Sequence, residues 1–366
     1  MSKKIAVIGA GSIGNHLAFS CRKVGWSVSV FDIDKKALDR FKTEIYPSRY
    51  GNFDNSITLE TISEFTNYPE EYFDAVLIGT PPEFHSEIAA QATKLKPKVI
   101  LIEKPITGPN KKDLTDLKDL VEENSHITYL CGYNHKVNLA TLTASQLVNR
   151  IKNDKNINLE VLWQESWDGI LKAHPWLEDQ NASYLGYSSR GGGAMFEHSH
   201  GLDLWLHMAR LLDFGNVTSV KANALFQKDG NGNNQYDESI KIEISTESGN
   251  PGLVVQDVVT SPAIKTITVK TDSHVLSFGF NDVELGDFVI LKEVNTGNEI
   301  LKMRIAKTRP FDFDLEINEI SNIFNLLDSG EHVESILSAN YAIYTAQIAT
   351  ASLDSATDQK PHSINR

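Results

Sequence analysis

Residues 5–14 read Ile-Ala-Val-Ile-Gly-Ala-Gly-Ser-Ile-Gly, an apolar tetrad followed by glycines at 9, 11 and 14. That order narrows the possible folds more than any other feature. A short apolar run of this kind predicts a strand buried on both faces. Gly9 permits a tight turn, Gly11 lets a second group approach the backbone, and Gly14 lets a following helix press against the strand. A helical pattern does follow, through Leu17, Ala18, Cys21 and Val24. Val28–Phe31 is a second apolar run, ended by Asp32. Strand, glycine turn, helix and second strand together predict a βαβ unit.

In that setting G-x-G-x-x-G predicts a dinucleotide-binding turn, with Gly9, Gly11, Ser12, Ile13 and Gly14 as contact residues. Phosphates would lie at the helix N-terminus, where backbone N–H groups and the dipole favour anions. Asp32 lies close to the ~20-residue offset of a ribose-binding acid. Its carboxylate can accept both ribose hydroxyls and would repel a 2′-phosphate, which favours NAD over NADP. The plainer alternative is a structural glycine turn with a helix-capping aspartate. Asp34 reads as a cap or a surface residue.

The alternation continues. Ala75–Ile78, Val99–Ile102 and Ile127–Cys131 are strand-length apolar runs, separated by helical stretches from Glu83 to Leu95 and from Leu114 to Val121. This predicts a Rossmann-type α/β domain over 1–132, with a parallel sheet covered on both faces. After 132 the grammar changes. A helix over Leu139–Ile151 and a strand over Asn156–Gln164 lead into a Gly/Ser/Trp-rich segment. A helix is expected over Ala194–Leu212. Strands then follow one another, with Ile240, Ile242 and Ile244 alternating with Lys241, Glu243 and Ser245. Residues 133–366 are therefore expected to form an α+β substrate-binding and oligomerisation domain. It would hold a large, mostly antiparallel sheet with helices on one face. Two helices, Asp314–Leu327 and Val333–Leu353, would close it, with a loose tail from Asp358.

The 366 residues can bury two cores without disulfides or metal. Basic residues number 35 and acidic residues 48, a net charge of −13 that argues against nucleic-acid and anionic-membrane partners. Cys21 and Cys131 form no Cys-x-x-Cys pair and read as core residues of a reduced, cytoplasmic protein. Ile5–Ile8 is too short for a signal h-region. No stretch approaches the ~18 apolar residues of a membrane span. The sequons at Asn181 and Asn216 therefore carry little meaning.

Three strands end in polar motifs: Gly79-Thr80-Pro81-Pro82-Glu83-Phe84-His85, Glu103-Lys104-Pro105 and Gly132-Tyr133-Asn134. Ligands bind at such carboxyl ends in open α/β sheets. A lysine held there between an acid and a proline is poorly explained by stability, since a surface ion pair is worth only ~0–1 kcal/mol. Together with the glycine loop, these motifs resemble the Gfo/Idh/MocA family of nicotinamide-dependent oxidoreductases over nearly the whole chain. The resemblance implies that Lys104 touches the reacting hydroxyl and the cofactor, after an often cis Lys-Pro bond. It also implies that Glu103, Thr80, Pro81 and His85 line the cofactor, with His85 more a packing or hydrogen-bonding residue than an acid/base. Asn134 would reach the substrate.

Gly191-Gly192-Gly193 opens a segment through Glu197, His198, His200 and Asp203. Helical spacing puts Glu197, His200 and Asp203 on one face. This segment is similar to the family's triple-glycine, acid and histidine segment, which makes His200 the acid/base. Glu197 stands where the family usually has Asp, so it either orients His200 or contacts substrate. His174-Pro175-Trp176, Ser183-Tyr184 and Arg190 resemble members tied to bacterial surface sugars and nonulosonic acids. That implies His174, Trp176 and Arg190 as substrate contacts. Arg190 either holds a phosphate or carboxylate or is a surface residue.

The histidines 174, 198, 200 and 207 lack a metal-ligand frame, so no metal is expected. His207 reads as the surface partner of Asp203. Asp229–Asn234 imitates the start of a calcium loop but has Asn234 at its sixth position and Ile240 at its twelfth, which favours a hairpin. Trp163, Trp167 and Trp176 either stack on a sugar or fill the core.

The expected activity is hydride transfer between NAD and a secondary alcohol of a sugar, amino sugar or sugar nucleotide. A histidine's reference pKa near ~6.5 would let His200 take the hydroxyl proton. Lys104 would support the alkoxide. Two alternatives stay open: an NAD-dependent glycosidase with transient oxidation, and a non-enzymatic sensor of NAD or sugar. The resemblance further implies a homodimer or homotetramer.

Overall fold

The computed structural model describes residues 2–305 and 311–364. Its described residues fall into two compact units. The first contains residues 2–107, 111–134 and 311–343, and the second 108–110, 135–305 and 344–364.

The first unit is built on a parallel sheet of six strands in the order β3-β2-β1-β4-β5-β6. These are β1 (Lys4–Ile8), β2 (Ser27–Asp32), β3 (Thr58–Thr61), β4 (Ala75–Ile78), β5 (Val99–Ile102) and β6 (Thr128–Cys131). In β1, β4 and β5 the residues from Ile5, Ala75 and Val99 onward are almost wholly buried, as expected of strands covered on both faces. Helices α1 (Ser12–Lys23), α2 (Lys35–Arg40), α3 (Tyr46–Tyr50), α4 (Ile62–Phe65), α5 (His85–Thr93) and α6 (Lys111–Glu123) fill the connections. Strand order reverses between β1 and β4, the switch point at which open α/β sheets bind ligands.

The second unit carries α7 (Leu139–Ile151), β7 (Asn158–Gln164), α8 (Trp167–Leu171), α9 (Gly193–Glu197) and α10 (His200–Leu211). Its remaining strands are β8 (Val217–Lys228), β9 (Asn234–Thr246), β10 (Gly252–Asp257), β11 (Ile264–Lys270), β12 (His274–Asp282), β13 (Gly286–Glu293), β14 (Glu299–Ile305) and β15 (His362–Ser363). They form a nine-stranded sheet ordered β14-β13-β12-β11-β7-β10-β9-β8-β15. Only the β10–β7 pairing among these is parallel. The alternation of Ile240, Ile242 and Ile244 with polar neighbours is realised in β9, where all three isoleucines are buried. The fold class is thus α/β followed by a mostly antiparallel α+β unit. Asp229 accepts the backbone N–H groups of Asn231 and Asn233 at 2.8 and 2.9 Å, which closes the β8–β9 hairpin.

Four expectations require correction. Residues after 132 do not all belong to one unit: Tyr133, Asn134 and 311–343 belong with the first. The reason is α11 (Phe311–Ser329), whose apolar side packs on α1. Phe313 stacks on His16 at 4.6 Å, Phe324 meets Trp26 at 5.5 Å, and Ser20 donates to Asp314 at 2.8 Å. Second, the last helix, α12 (Ala339–Asp358), begins after an extended stretch rather than at Val333. There Leu337 O accepts the N–H of Cys131 at 2.8 Å. Third, the tail is tied down, because His362 and Ser363 pair with Val220 and Ser219 of β8. Fourth, the helix expected over 194–212 is broken at His198–Ser199 into α9 and α10.

Candidate cofactor and catalytic site

In the first unit, the parallel ladder runs straight into the motifs. The N–H groups of Gly79, Glu103 and Gly132 donate to Ile8, Ile78 and Ile102 at 2.8 to 2.9 Å. Each motif residue therefore starts where its strand stops. Gly9 has φ +105°, and a Cβ there would lie 2.8 Å from the Gly79 carbonyl oxygen. A Cβ on Gly14 would overlap the Gly9 carbonyl, whereas one on Gly11 would meet no atom within 4 Å. Gly9 and Gly14 are thus demanded by the protein itself. Gly11 faces open space, which suits a group approaching from outside.

Asp32 bridges the end of β2 to this loop. One carboxylate oxygen accepts the N–H of Ala10 at 2.7 Å and the other that of Asp34 at 2.8 Å. Each oxygen retains a second acceptor position, so ribose hydroxyls can still be taken up. Asp34 caps α2 by accepting from Lys36 N–H at 2.9 Å. Ser12 is almost wholly buried at the first turn of α1. Ile13 lies against Gly79. The Thr80 hydroxyl oxygen is buried with no hydrogen-bond partner among the described residues. A buried orphan hydroxyl beside an open glycine turn fits a bound dinucleotide.

His85 is completely buried, and its ring spans two backbone carbonyls, Pro105 O at 3.0 Å and Thr80 O at 2.8 Å. Burial lowers its pKa. A neutral imidazole donates through one nitrogen only, so His85 bonds one of these carbonyls and packs against the other, between the Thr80-Pro81 turn and the Lys104–Pro105 peptide, which is cis. The Glu103 carboxyl lies flat against Gly132, where a Cβ would come within 2.6 Å of it. Burial pushes Glu103 up, with Lys104 pulling the other way. Glu316 of α11 is completely buried and pushed well up by burial, then by the charges of Glu103 and Asp312. Neither of its oxygens has a hydrogen-bond partner among the described residues. Nothing in the local sequence around 316 signals this carboxyl pair, because it arises from helix packing. Asn134 is nearly buried, with its side-chain oxygen likewise without a partner among the described residues.

In the second unit, His200 stands in the first turn of α10. Its ring is edge-on to His135 at 4.6 Å and tilted to Trp163 at 5.6 Å. Gly201 lets α10 lie on β7, since a Cβ there would be 2.8 Å from that of Trp163. The helix break changes the expected face. Glu197 ends α9, where it accepts from the Tyr184 hydroxyl at 3.3 Å. Asp203 turns inward and pairs with Lys136 and Thr345, both at 3.1 Å. His207 is buried rather than on the surface, contacting Ser145 at 3.2 Å and Arg210 at 3.4 Å. His198 is buried against Glu165 O at 3.3 Å, and burial lowers it to about 4. His174 contacts Ile170 O at 3.2 Å and meets Trp176 edge-on at 5.6 Å. Arg190 lies over the Tyr187 ring at 5.6 Å. The four histidines thus engage different partners. Trp163 is core, and Trp167 packs edge-on against Tyr236.

Two determinants were not apparent from the sequence. Asp237 of β9 and Gln256 of β10 are both completely buried and reach α9 from the sheet. Asp237 accepts from Met195 N–H at 2.6 Å and from Ser188 Oγ at 2.7 Å, while Gln256 donates to Ala194 O at 3.2 Å. Burial pushes Asp237 up to about 6 against the pull of those bonds. Their only sequence trace is a polar residue at an inward strand position.

Residues 3–133 match the family described as "Oxidoreductase family, NAD-binding Rossmann fold". A Schizosaccharomyces pombe protein of uncharacterized activity is 24% identical over 244 residues, 60% of this chain and 60% of its own length. The fold is shared with levoglucosan dehydrogenase in complex with NADH and levoglucosan, at 16% identity, TM-score 0.75 and full coverage of both chains. It is also shared with an NAD-binding oxidoreductase from Klebsiella pneumoniae, at 14% identity, TM-score 0.76 and coverage of 100% and 99%. The WlbA dehydrogenase of Bordetella pertussis, solved with NADH and UDP-GlcNAcA, aligns at 15% identity, TM-score 0.72 and full coverage of both chains. No helix among the described residues is long and apolar enough to cross a membrane.

Proposed function

We propose that this chain, whose residues 3–133 are an NAD-binding Rossmann domain of the Gfo/Idh/MocA oxidoreductase family, is an NAD-dependent dehydrogenase acting on a secondary alcohol of a sugar or sugar nucleotide. The main support is the Glu103-Lys104-Pro105 motif, set at the carboxyl end of β5 and packed through His85 against the Thr80 turn. A lysine held by so much buried polar structure is built for chemistry rather than for solubility. Neighbours of the same fold that hold NADH with levoglucosan or with UDP-GlcNAcA point to the sugar class.

Gly9, Gly11, Gly14, Asp32 and Thr80 hold the cofactor in this reading. When bound, NAD accepts or returns the hydride at its nicotinamide. His200 takes the hydroxyl proton on an imidazole nitrogen, with the ring held by its contacts to His135 and Trp163. The Lys104 ammonium supports the developing alkoxide by charge and hydrogen bond. Glu103 and His85 act through Lys104 by fixing its backbone. Glu197, which accepts from the Tyr184 hydroxyl, contacts substrate in this reading. Asn134, His174, Trp176 and Arg190 are further substrate contacts in this reading. It includes a homodimer or homotetramer in the cytoplasm, with no nucleic-acid or membrane partner.

The test is a panel of free sugars and UDP-sugars with NAD, followed by absorbance of the reduced cofactor. Lys104→Met is expected to abolish turnover of the active sugar and leave NADH binding within about twofold, since only a transition-state contact is removed. Unchanged turnover would sink the role of Lys104. A protein that binds NADH but oxidises no member of the panel would sink the sugar reading.

A further inference from the structure

Arg49 was not among the residues the sequence singled out. It reaches the glycine loop because residues 35–50 run as α2, one wide π turn over Phe41–Ile45, and α3. A π turn adds a residue to the helical register and is frequent at functional sites. It keeps Phe41, Ile45 and Tyr46 buried. Beyond it, Tyr50 stacks on Phe19 of α1 at 3.7 Å and hydrogen-bonds His16. With α3 seated on α1 in this way, the half-buried Arg49 arrives at the N-terminal turn of α1. It donates from Nη1 to Ser12 O at 2.9 Å and from Nη2 to Ser12 Oγ at 2.8 Å.

Electrostatically this is the wrong end of the helix for a cation. The first turn of α1 already presents partial positive charge, contains no acidic residue, and is preceded by Gly11, which supplies no side-chain cap. A fixed guanidinium added there raises the local positive potential further. Tyr50 tethers α3 to α1 separately, through its contacts with Phe19 and His16. An anion in the open space over Gly11 would interact favourably with both the helix N-terminus and the guanidinium, whose planar fork suits two phosphate oxygens.

We infer that Arg49 is a ligand of the cofactor's diphosphate, held in place by its two hydrogen bonds to Ser12. The inference rests on the dinucleotide site and is independent of which alcohol is oxidised. Asp32 at the end of β2 opposes a 2′-phosphate, so the diphosphate is the anion that the two features share.

The experiment titrates the whole protein with NADH, NADPH, ADP-ribose and adenosine, by cofactor fluorescence and by competition against it, in wild type, Arg49→Met and Arg49→Lys. Melting of each ligand-free protein serves as control. Arg49→Met is expected to weaken NADH and ADP-ribose alike by about 10- to 100-fold, the worth of a charged hydrogen bond, with adenosine unchanged. Arg49→Lys keeps the charge without the planar fork and should show the same selective loss to a smaller extent. It carries the test if the methionine variant does not fold. Unchanged NADH affinity overturns the inference. So does an equal loss for adenosine, which would mark a merely structural arginine, or a loss confined to NADPH. Failure of wild type to bind NADH would overturn the cofactor site itself, a result distinct from a wild type that binds and an indifferent variant.

Discussion

The carboxylate of Asp237 accepts the backbone N–H of Met195 at 2.6 Å and so caps a helix from a different element of the fold. The position before α9 is Gly192, which has no side chain to cap with. Gly193 has φ +76°, and a Cβ there would run into Asp237, so the glycines and the aspartate require each other. Because α9 leads directly to His200, this bond sets where the proposed acid/base begins its helix. Replacing Asp237 with Ala leaves the buried Met195 N–H without its acceptor, at a cost of about 1–3 kcal/mol. Urea denaturation should register that loss, and kcat should fall with it. A variant as stable and as active as wild type would show that α9 does not depend on this cap.

Lys136 and Asp203 form an ion pair with side chains only 3% and 2% exposed. Removing one partner strands the other, so Lys136→Met is expected to cost about 3–5 kcal/mol. Lys136→Met combined with Asp203→Leu should recover much of it, because the uncompensated charge goes too. A double variant no more stable than Lys136→Met would show that the pair matters through packing rather than charge.

Glu316 makes a pH prediction. Its folded-state pKa is raised above the unfolded one, so the folded protein binds the extra proton. Stability is then fully present below the unfolded carboxylate range and is lost as pH rises toward the folded pKa. Glu316→Gln cannot ionise. Its stability relative to wild type should therefore increase from pH 5 to pH 8, with a limiting slope of about 1.4 kcal/mol per pH unit. Thermal melts of both proteins across that range check it, and parallel curves would refute the assignment.

Gly11 and Gly14 should separate binding from folding. Gly14→Ala drives a methyl into the Gly9 carbonyl and is expected to lower the melting temperature of the ligand-free protein. Gly11→Ala meets no protein atom within 4 Å, so its ligand-free stability should match wild type while NADH affinity drops. Equal NADH affinity in Gly11→Ala would move the diphosphate away from this turn.

The glycine loop, Asp32, the three strand-end motifs and the alternation in β9 were all legible from the sequence. Each is written in residues close together in the chain: a strand period, a turn that only glycine adopts, a lysine held beside a proline. Local spacing failed where a distant group decides the outcome. The run from Ala194 to Leu212 has continuous helical periodicity, yet the chain breaks at His198–Ser199. There Asp237 and Gln256 hold α9 in its own direction, while Gly201 lets α10 settle on Trp163. That break takes Glu197 off the helix that carries His200, and Asp203, expected in a surface pair with His207, lies instead in a core ion pair with Lys136. In the same way α11 returns to the first unit, bringing Glu316 into the surroundings of Glu103, and α3 delivers Arg49 to Ser12. The residues close to one another in sequence determined the motifs and the chemistry they imply. Only the tertiary structure decided which polar groups support them, because a buried carboxylate or a half-buried guanidinium takes its partners from whichever elements pack against it.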